Sequence, residues 1–184
     1  MARFAAIRPL SWGVRAHTVR YHYRITKYDP KYRGEDGAYK KDEWTSHSDI
    51  GRIFSGVKLL EAQYLDTESF YLLAVSEFLS EARLSTLTVR DLGNPDGLAI
   101  PGFISEGSEV AIAQCVESAR LALREKIWGR LVRPGRAYVH FGYDYYMYIG
   151  LNSKCSSAIA RAEERGLFVE PFRSPYLRAH VASC

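Results

Sequence analysis

The chain has 184 residues, of which 47% are hydrophobic and 25% are charged. These values are typical of one globular domain with its own core, and they exclude a chain that is disordered along its whole length. The formal net charge of +4 comes from the N-terminal end, where six of the 25 basic residues precede the first acidic residue, Asp29. The remaining 19 basic and 21 acidic residues nearly balance, so the rest of the chain is close to neutral.

The N-terminal stretch, residues 1–17, is predicted to be a basic extension ahead of a single domain that spans residues 18–184. Arg8 and Pro9 interrupt its apolar residues, which excludes a secretory signal. Its composition, rich in arginine and free of acids, is similar to that of an organelle transit peptide, and the alternative is a solvated extension. Arginines in this stretch also make nucleic-acid binding one functional hypothesis, because they neutralise phosphates.

The cysteine content and the hydropathy of the sequence indicate the cellular compartment of the protein. Cys115, Cys155 and Cys184 are odd in number and lack metal-ligand spacing, so we predict no metal site, no cofactor and a reduced, cytoplasmic setting. The acidic residues of the loop after the first strand do not follow the spacing of a calcium loop either. No apolar run reaches the roughly eighteen residues that a membrane span needs, and we predict no membrane partner.

The first predicted element is a strand at residues 18–28, TVRYHYRITKY, where apolar and polar side chains alternate. A charged, aromatic loop follows, and the stretch SHSDIGRIF is predicted as a short helix that ends near Gly56. Ser46 and Asp49 have the spacing of a capping box. We therefore interpret the serine, histidine and aspartate there as a helix start, because neighbouring residues cannot aim at one another as a catalytic triad requires.

The remaining pattern predicts a single α+β domain with a mainly antiparallel sheet and three to four helices packed on it. Apolar residues at three- and four-residue steps indicate two long amphipathic helices, the first with a bend near Asp66, and a third helix ends at Gly166. The predicted helices span residues 59–83, 108–127 and 156–165, and the predicted strands after the first span 86–92, 129–141 with a turn at Pro134-Gly135, and 167–172.

The densest aromatic stretch is YVHFGYDYYMYIG, residues 138–150. Its odd positions are mostly apolar, and strand side chains alternate between faces, so the odd face is predicted to lie in the core. A continuous strand kinked at Gly142 fits this pattern, and so does a hairpin with the loop Gly142–Asp144, which would set Phe141 opposite Tyr145. The even face carries the polar groups Tyr138, His140, Asp144, Tyr146 and Tyr148.

Three interpretations of the even face remain open. The tyrosines could pack as a row under a helix or loop, or form a recognition surface for another protein, since tyrosine offers rigid contact area with a polar tip. The third interpretation is an enzyme in which His140, Asp144 and Tyr146 act as acid–base groups; on one continuous strand His140 and Asp144 lie too far apart for proton transfer. The charged loop adds further side chains to the candidate binding surface, namely Tyr32, Tyr39, Trp44 and His47.

Two motifs carry a resemblance to a known group. The stretch YRITKYDPKYRGEDGAYKKDEWTSHSDIGRIF and the later VHFGYDYYMYIG resemble sequences of a group of small bacterial proteins associated with immunity to polymorphic toxins. The resemblance covers residues 20–172 and leaves out the basic extension. It implies a protein that neutralises a toxin by binding it, and it assigns no catalytic residue. Our leading expectation is therefore a protein-binding module.

Overall fold

The computed structural model describes residues 19–178 except residues 95, 96 and 98, so the predicted extension at residues 1–17 lies outside the described part, as does Cys184. Three α-helices pack on a seven-stranded sheet in which every strand pair is antiparallel. The predicted α+β class is confirmed. Among the described residues, no helix has the length and apolar content that crossing a bilayer requires.

The strands are β1 (Tyr21–Thr26), β2 (Ile53–Phe54), β3 (Val57–Lys58), β4 (Thr86–Gly93), β5 (Glu109–Ala111), β6 (Trp128–Arg133), β7 (Ala137–Phe141), β8 (Met147–Leu151) and β9 (Phe168–Pro171). The helices are α1 (Glu61–Glu81), α2 (Ile112–Leu123) and α3 (Ser156–Glu164), and short 3-10 turns occupy Pro30–Tyr32, His47–Asp49 and Pro175–Arg178. The large sheet has the order β5-β4-β6-β7-β8-β1-β9, while β2 and β3 form a separate small hairpin.

Two of the predicted helices differ from the observed elements. The stretch after Ser46 forms a single 3-10 turn and then the β2–β3 hairpin. Gly51, Ser55 and Gly56 adopt positive φ angles of 92°, 48° and 82°, and such left-handed residues end a helix. The predicted helix at residues 108–127 begins as β5, because Val110 pairs with Leu87 and fills the core as a strand residue.

The first predicted helix is present as α1, and it runs through Asp66 as one continuous α-helix without the expected bend. Its buried residues include Leu72, Val75 and Leu79, as the spacing predicted. With α2 and α3 it covers one face of the sheet and forms the apolar core there. The opposite face is covered in part by residues 172–178, which follow β9 and which we call the C-terminal strap.

Candidate functional site

The aromatic stretch forms a hairpin between β7 and β8, which settles the choice between a hairpin and a continuous strand. Phe141 pairs with Met147, and the Gly142 N–H donates to the carbonyl of Tyr146 at 2.8 Å. The predicted hairpin had a loop of three residues and paired Phe141 with Tyr145. This prediction is wrong, because the loop is two residues longer. The loop is longer because Asp144 and Tyr145 both take left-handed conformations, with φ of 57° and 63°.

The odd positions of the hairpin lie in the core, as the alternation predicted. Val139, Met147 and Ile149 are fully buried, and Tyr145 is buried as well. Tyr143 is the exception, since it lies at the tip of the loop with 86% of its surface exposed. Alternation therefore assigns faces correctly along the paired strands and loses its meaning in the loop, where no sheet orients the side chains.

The even positions on the paired strands are buried under the C-terminal strap, so the expectation that they form an open recognition surface is wrong. The exposed fractions of Tyr138, His140 and Tyr148 are 3%, 1% and 8%. The Nδ1 atom of His140 lies 2.8 Å from the Oγ of Ser174, and the ring of Tyr148 lies against that of Tyr176 with 6.0 Å between centroids. The structure shows the first of the three interpretations, a tyrosine row packed under a loop.

Gly150 explains how Tyr138 fits into this layer. The two residues are paired across β7 and β8, and a Cβ atom on Gly150 would stand 2.0 Å from the Tyr138 ring. The ring therefore lies flat over the glycine, and its hydroxyl reaches the Nδ1 atom of His22 at 2.8 Å. His140 stacks on the same ring with 4.3 Å between centroids.

The three residues of the acid–base hypothesis lie in three different environments. His140 contacts Ser174, and its burial, together with the nearby Arg130 cation, lowers its pKa to about 3, so the imidazole is neutral at physiological pH. Asp144 is exposed in the hairpin loop. Tyr146 lies under the guanidinium of Arg33, 5.8 Å from its ring centroid. Ser174 is 34 residues from His140 along the chain, and no local pattern marks it in the sequence.

The loop between β1 and β2 is held by a partly buried ion pair at its base. The Nζ of Lys27 lies 3.2 Å from a carboxylate oxygen of Glu43 and about 4 Å from the ring centroids of Tyr28 and Trp44. Burial lowers the pKa of Lys27 to about 8, against the opposing effect of Glu43. The Tyr39 hydroxyl donates to the same carboxylate at 2.9 Å, so the loop has a fixed shape despite its many charges.

The aromatic residues of the loop divide into anchors and exposed groups. Trp44 packs edge-on against the buried Tyr145 with 5.1 Å between centroids, and His47 packs in the same way on Tyr64 at 5.0 Å. Tyr32 remains 37% exposed. The predicted capping role of Asp49 is confirmed in part, because its carboxylate accepts the backbone N–H of Ser46 at 3.1 Å.

A groove opens beside this loop, and we call it the loop groove. It has a volume of about 290 Å³, and its walls include Lys41, Trp44, Phe54, Val57, Lys58 and Leu59. The lining is mixed, since aromatic and aliphatic side chains alternate with charges of both signs, Asp42 and Glu43 among them. Val57 is 62% exposed on the groove, and Ile53 and Leu60, the chain neighbours of the lining residues Phe54 and Leu59, are 68% and 54% exposed.

The sequence did not indicate the loop groove, because it depends on the β2–β3 hairpin, which was expected to be helical. The interleaved glycines Gly51 and Gly56 were the signal for a turn there. Phe54 and Val57 are paired in this hairpin, and both line the groove.

The remaining chemistry of the described residues is sparse. Burial raises the thiol pKa of both Cys115 and Cys155 to about 11, so neither is a thiolate at neutral pH. Across the described ranges, no three histidine, cysteine or acidic side chains are grouped so that they could hold a metal ion. Comparison of the chain with protein families, with curated proteins and with solved structures gave no match.

Proposed function

We propose that the chain is a protein-binding module whose partner inserts an apolar side chain into the loop groove. The observation that carries the proposal is Val57, which lines the groove together with Trp44 and Phe54 and is 62% exposed. Ile53 and Leu60, also more than half exposed, are the chain neighbours of the lining residues Phe54 and Leu59. Exposing large aliphatic side chains to water is unfavourable, and clusters of them next to a concave surface are typical of protein interfaces.

The rigidity of the loop supports this function. Trp44 contacts the rings of Tyr64 and Tyr145 and the Lys27 ammonium. An aromatic wall that is ordered before binding loses little conformational entropy in the complex. Tyr32 adds a partly exposed ring on the same loop. Aromatic side chains of this kind supply much of the binding free energy in protein complexes.

The charges of the rim support a partner that carries both signs around its apolar anchor. Lys41 pairs with Glu43, Asp42 accepts the Ser55 N–H at 2.8 Å, and Lys58 is exposed. Such charges orient a partner more than they add affinity. The resemblance to immunity proteins makes a toxin domain our proposed partner, and the groove would then be the surface that neutralises it.

The test compares two exposed aliphatic positions by affinity purification with quantitative mass spectrometry. Val57→Asp places a charge on the wall of the groove, while Leu73→Asp, at an exposed α1 position outside the groove, is the matched control. We expect a stoichiometric partner with the wild type and the control, and its loss with Val57→Asp. With the purified partner, the dissociation constant of Val57→Asp should rise about tenfold or more, since a buried unpaired charge costs several kcal/mol.

Two results would overturn the proposal. One is a partner that both variants retain equally, and the other is the absence of any stoichiometric partner from lysates of the native host. For the toxin form of the proposal, cells that co-express the toxin must survive with the Leu73→Asp chain and die with the Val57→Asp chain. Thermal melting of both variants shows whether a loss reflects binding or folding.

A further inference from the structure

The pairing of basic side chains is uneven across the molecule. Most described arginines and lysines form ion pairs with carboxylates, such as Arg124 with the buried Glu68 and Arg165 with Glu77. Seven exposed cations form no ion pair with an acid of the part that the structure describes, and four of the seven share one end of the large sheet. These four are Arg20, Arg136, Lys154 and Arg173.

The strand register brings two of these residues together. Leu151 at the end of β8 pairs with Tyr21 of β1 on one side and with Ala137 of β7 on the other. Arg20 and Arg136 each precede one of these partners, so they flank the same end of β8. Adjacent strands are about 4.8 Å apart, which places the two α-carbons at roughly 10 Å from each other. The Arg20 N–H donates to the Leu151 carbonyl at 3.2 Å and fixes its backbone there.

The other two cations reach the same end from separate segments. Lys154 lies on the loop after β8, and its carbonyl accepts the Tyr23 hydroxyl at 2.7 Å. Arg173 lies on the C-terminal strap, directly after Phe172, whose N–H donates to the His22 carbonyl at 3.0 Å. Burial lowers the pKa of His22, and the charge of Arg173 lowers it further. We call these four cations the basic end.

Carboxylates that approach the basic end are already engaged. Glu81 accepts the Ala158 N–H at 2.7 Å at the start of α3, and Glu109 pairs with Arg133. In the sequence, residues 1–18, which precede Arg20, contain three arginines and no acid. The basic end is therefore a local excess of positive charge on a chain that is otherwise close to neutral.

We propose that the basic end binds the phosphate groups of a nucleic acid backbone. Three of its four cations are arginines, whose planar guanidinium offers paired donors to phosphate oxygens. Tyr21 stands at the same end with 38% of its surface exposed and presents a ring on which a base can stack. This function is independent of the loop groove.

An anionic membrane is a weaker fit for the same charges. Stable attachment to a bilayer surface needs apolar side chains beside the basic ones. Beside the basic end the exposed apolar side chain is the single ring of Phe172, 40% exposed and stacked on the Arg24 guanidinium at 4.3 Å. The exposed aliphatic residues Ile53, Val57 and Leu60 lie before the start of α1, whereas the carboxylate of Glu81 at the other end of that helix caps α3 beside the basic end. A helix of 21 residues is about 30 Å long, so the two surfaces cannot contact one flat membrane region together.

The experiment measures binding of the full chain to fluorescein-labelled single-stranded DNA by fluorescence anisotropy, at salt concentrations from about 50 to about 200 mM. Duplex DNA, RNA and phosphatidylserine-containing vesicles are the comparison probes. The test variant combines Arg20→Gln, Arg136→Gln, Lys154→Gln and Arg173→Gln. The matched single variants are Arg136→Gln and Lys126→Gln, because Lys126 is also exposed and precedes the opposite end of β6.

We expect the fourfold variant to lose about tenfold or more in affinity at about 50 mM salt, and its plot of log affinity against log salt to become shallower by about 0.7 per lost phosphate contact. Arg136→Gln should weaken binding about two- to fourfold, while Lys126→Gln leaves it unchanged. Tight binding of either DNA or RNA supports the proposal, and their ratio names the preferred polymer. All four side chains are exposed, so the variants should melt as the wild type does.

Three results would overturn the proposal. The first is salt-dependent binding that the fourfold variant retains in full. This result includes the case in which only the deletion of residues 1–18 abolishes binding. The second is the absence of binding to any nucleic acid at about 50 mM salt, where phosphate contacts are strongest. The third is binding to anionic vesicles without binding to nucleic acid.

Discussion

The β7–β8 hairpin is buried on both faces, yet the two faces are buried by different means. On one face, Val139, Met147 and Ile149 contact the helices through apolar packing. On the other face, Tyr138 and His140 are covered by the short C-terminal strap and are joined to it and to β1 by hydrogen bonds. A layer of helices is therefore not required to cover this face of the sheet, provided that its polar side chains form hydrogen bonds.

The two faces should differ in how much they contribute to the free energy of unfolding and in which changes reduce that contribution. Apolar packing is lost with volume, because a cavity remains where a methylene group is removed. The strap face depends on hydrogen bonds, each of which contributes about 1 kcal/mol to the net stability, and on the neutral state of His140. Apolar truncation, protonation and loss of one hydroxyl should therefore destabilise the fold by decreasing amounts.

The largest effect is expected on the apolar face. Ile149→Ala removes a fully buried side chain from the centre of the helix-covered face. The free energy of unfolding should fall by about 3–4 kcal/mol, from lost transfer free energy and from the cavity. Urea denaturation followed by circular dichroism measures it. A loss below about 1 kcal/mol would mean that the helices collapse onto the gap and that the two faces do not differ as described.

The second effect concerns pH and the strap face. The pKa of His140 is about 3 in the folded protein and 6.5 as its ordinary value. Between these values the unfolded chain binds more protons, so the stability from the neutral imidazole is complete above pH 6.5 and is lost as the pH falls toward 3. From pH 7 to pH 5 the wild type should lose about 2 kcal/mol more than His140→Gln, as urea denaturation at both pH values will show.

The glutamine variant is the control for all other titrating groups, since His22 and the carboxylates are the same in both proteins. Arg130 lies close enough to oppose protonation of His140, and Asp91 acts in the opposite direction. Equal losses in the two proteins would show that His140 is protonated in the fold, and hence that water reaches it past the strap.

The smallest effect is expected for a single hydroxyl of the strap. Ser174→Ala removes the partner of His140 at 2.8 Å and should lower the free energy of unfolding by about 1–2 kcal/mol. Modification of His140 by diethyl pyrocarbonate should also become faster, because the strap holds less tightly. Tyr143→Ser at the exposed loop tip is the matched control and should change neither quantity. Slow modification in both variants would show that the ring contact with Tyr176 is sufficient.

The sequence predicted those parts of the molecule that depend on local periodicity. Alternation placed Val139, Met147 and Ile149 in the core, and the three- and four-residue spacing located α1, because both patterns reflect one buried face of a regular element. The same logic could not find the cover over the even face. Ser174 follows a stretch without periodicity, and its position is set by the pairing of β9 with β1, which only the complete fold determines.

The candidate site was predictable only in part for the same reason. Trp44 and the aromatic loop were recognised from composition, but the groove depends on the β2–β3 hairpin. The capping box at Ser46 and Asp49 favoured a helix that continues to Gly56, while the left-handed residues Gly51, Ser55 and Gly56 end it after one 3-10 turn. A capping box marks where a helix begins, and it cannot outweigh backbone conformations that a helix does not contain.

The strand order has a consequence for synthesis of the protein. Of the described strands β1 is made first, yet its neighbours in the sheet are β8 and β9, the last two of them. During translation β1 therefore lacks its hydrogen-bonding neighbours until β8 and β9 have left the ribosome. Contacts so distant in sequence also slow refolding. The nascent chain thus exposes an unpaired strand with two tyrosines until β8 and β9 follow.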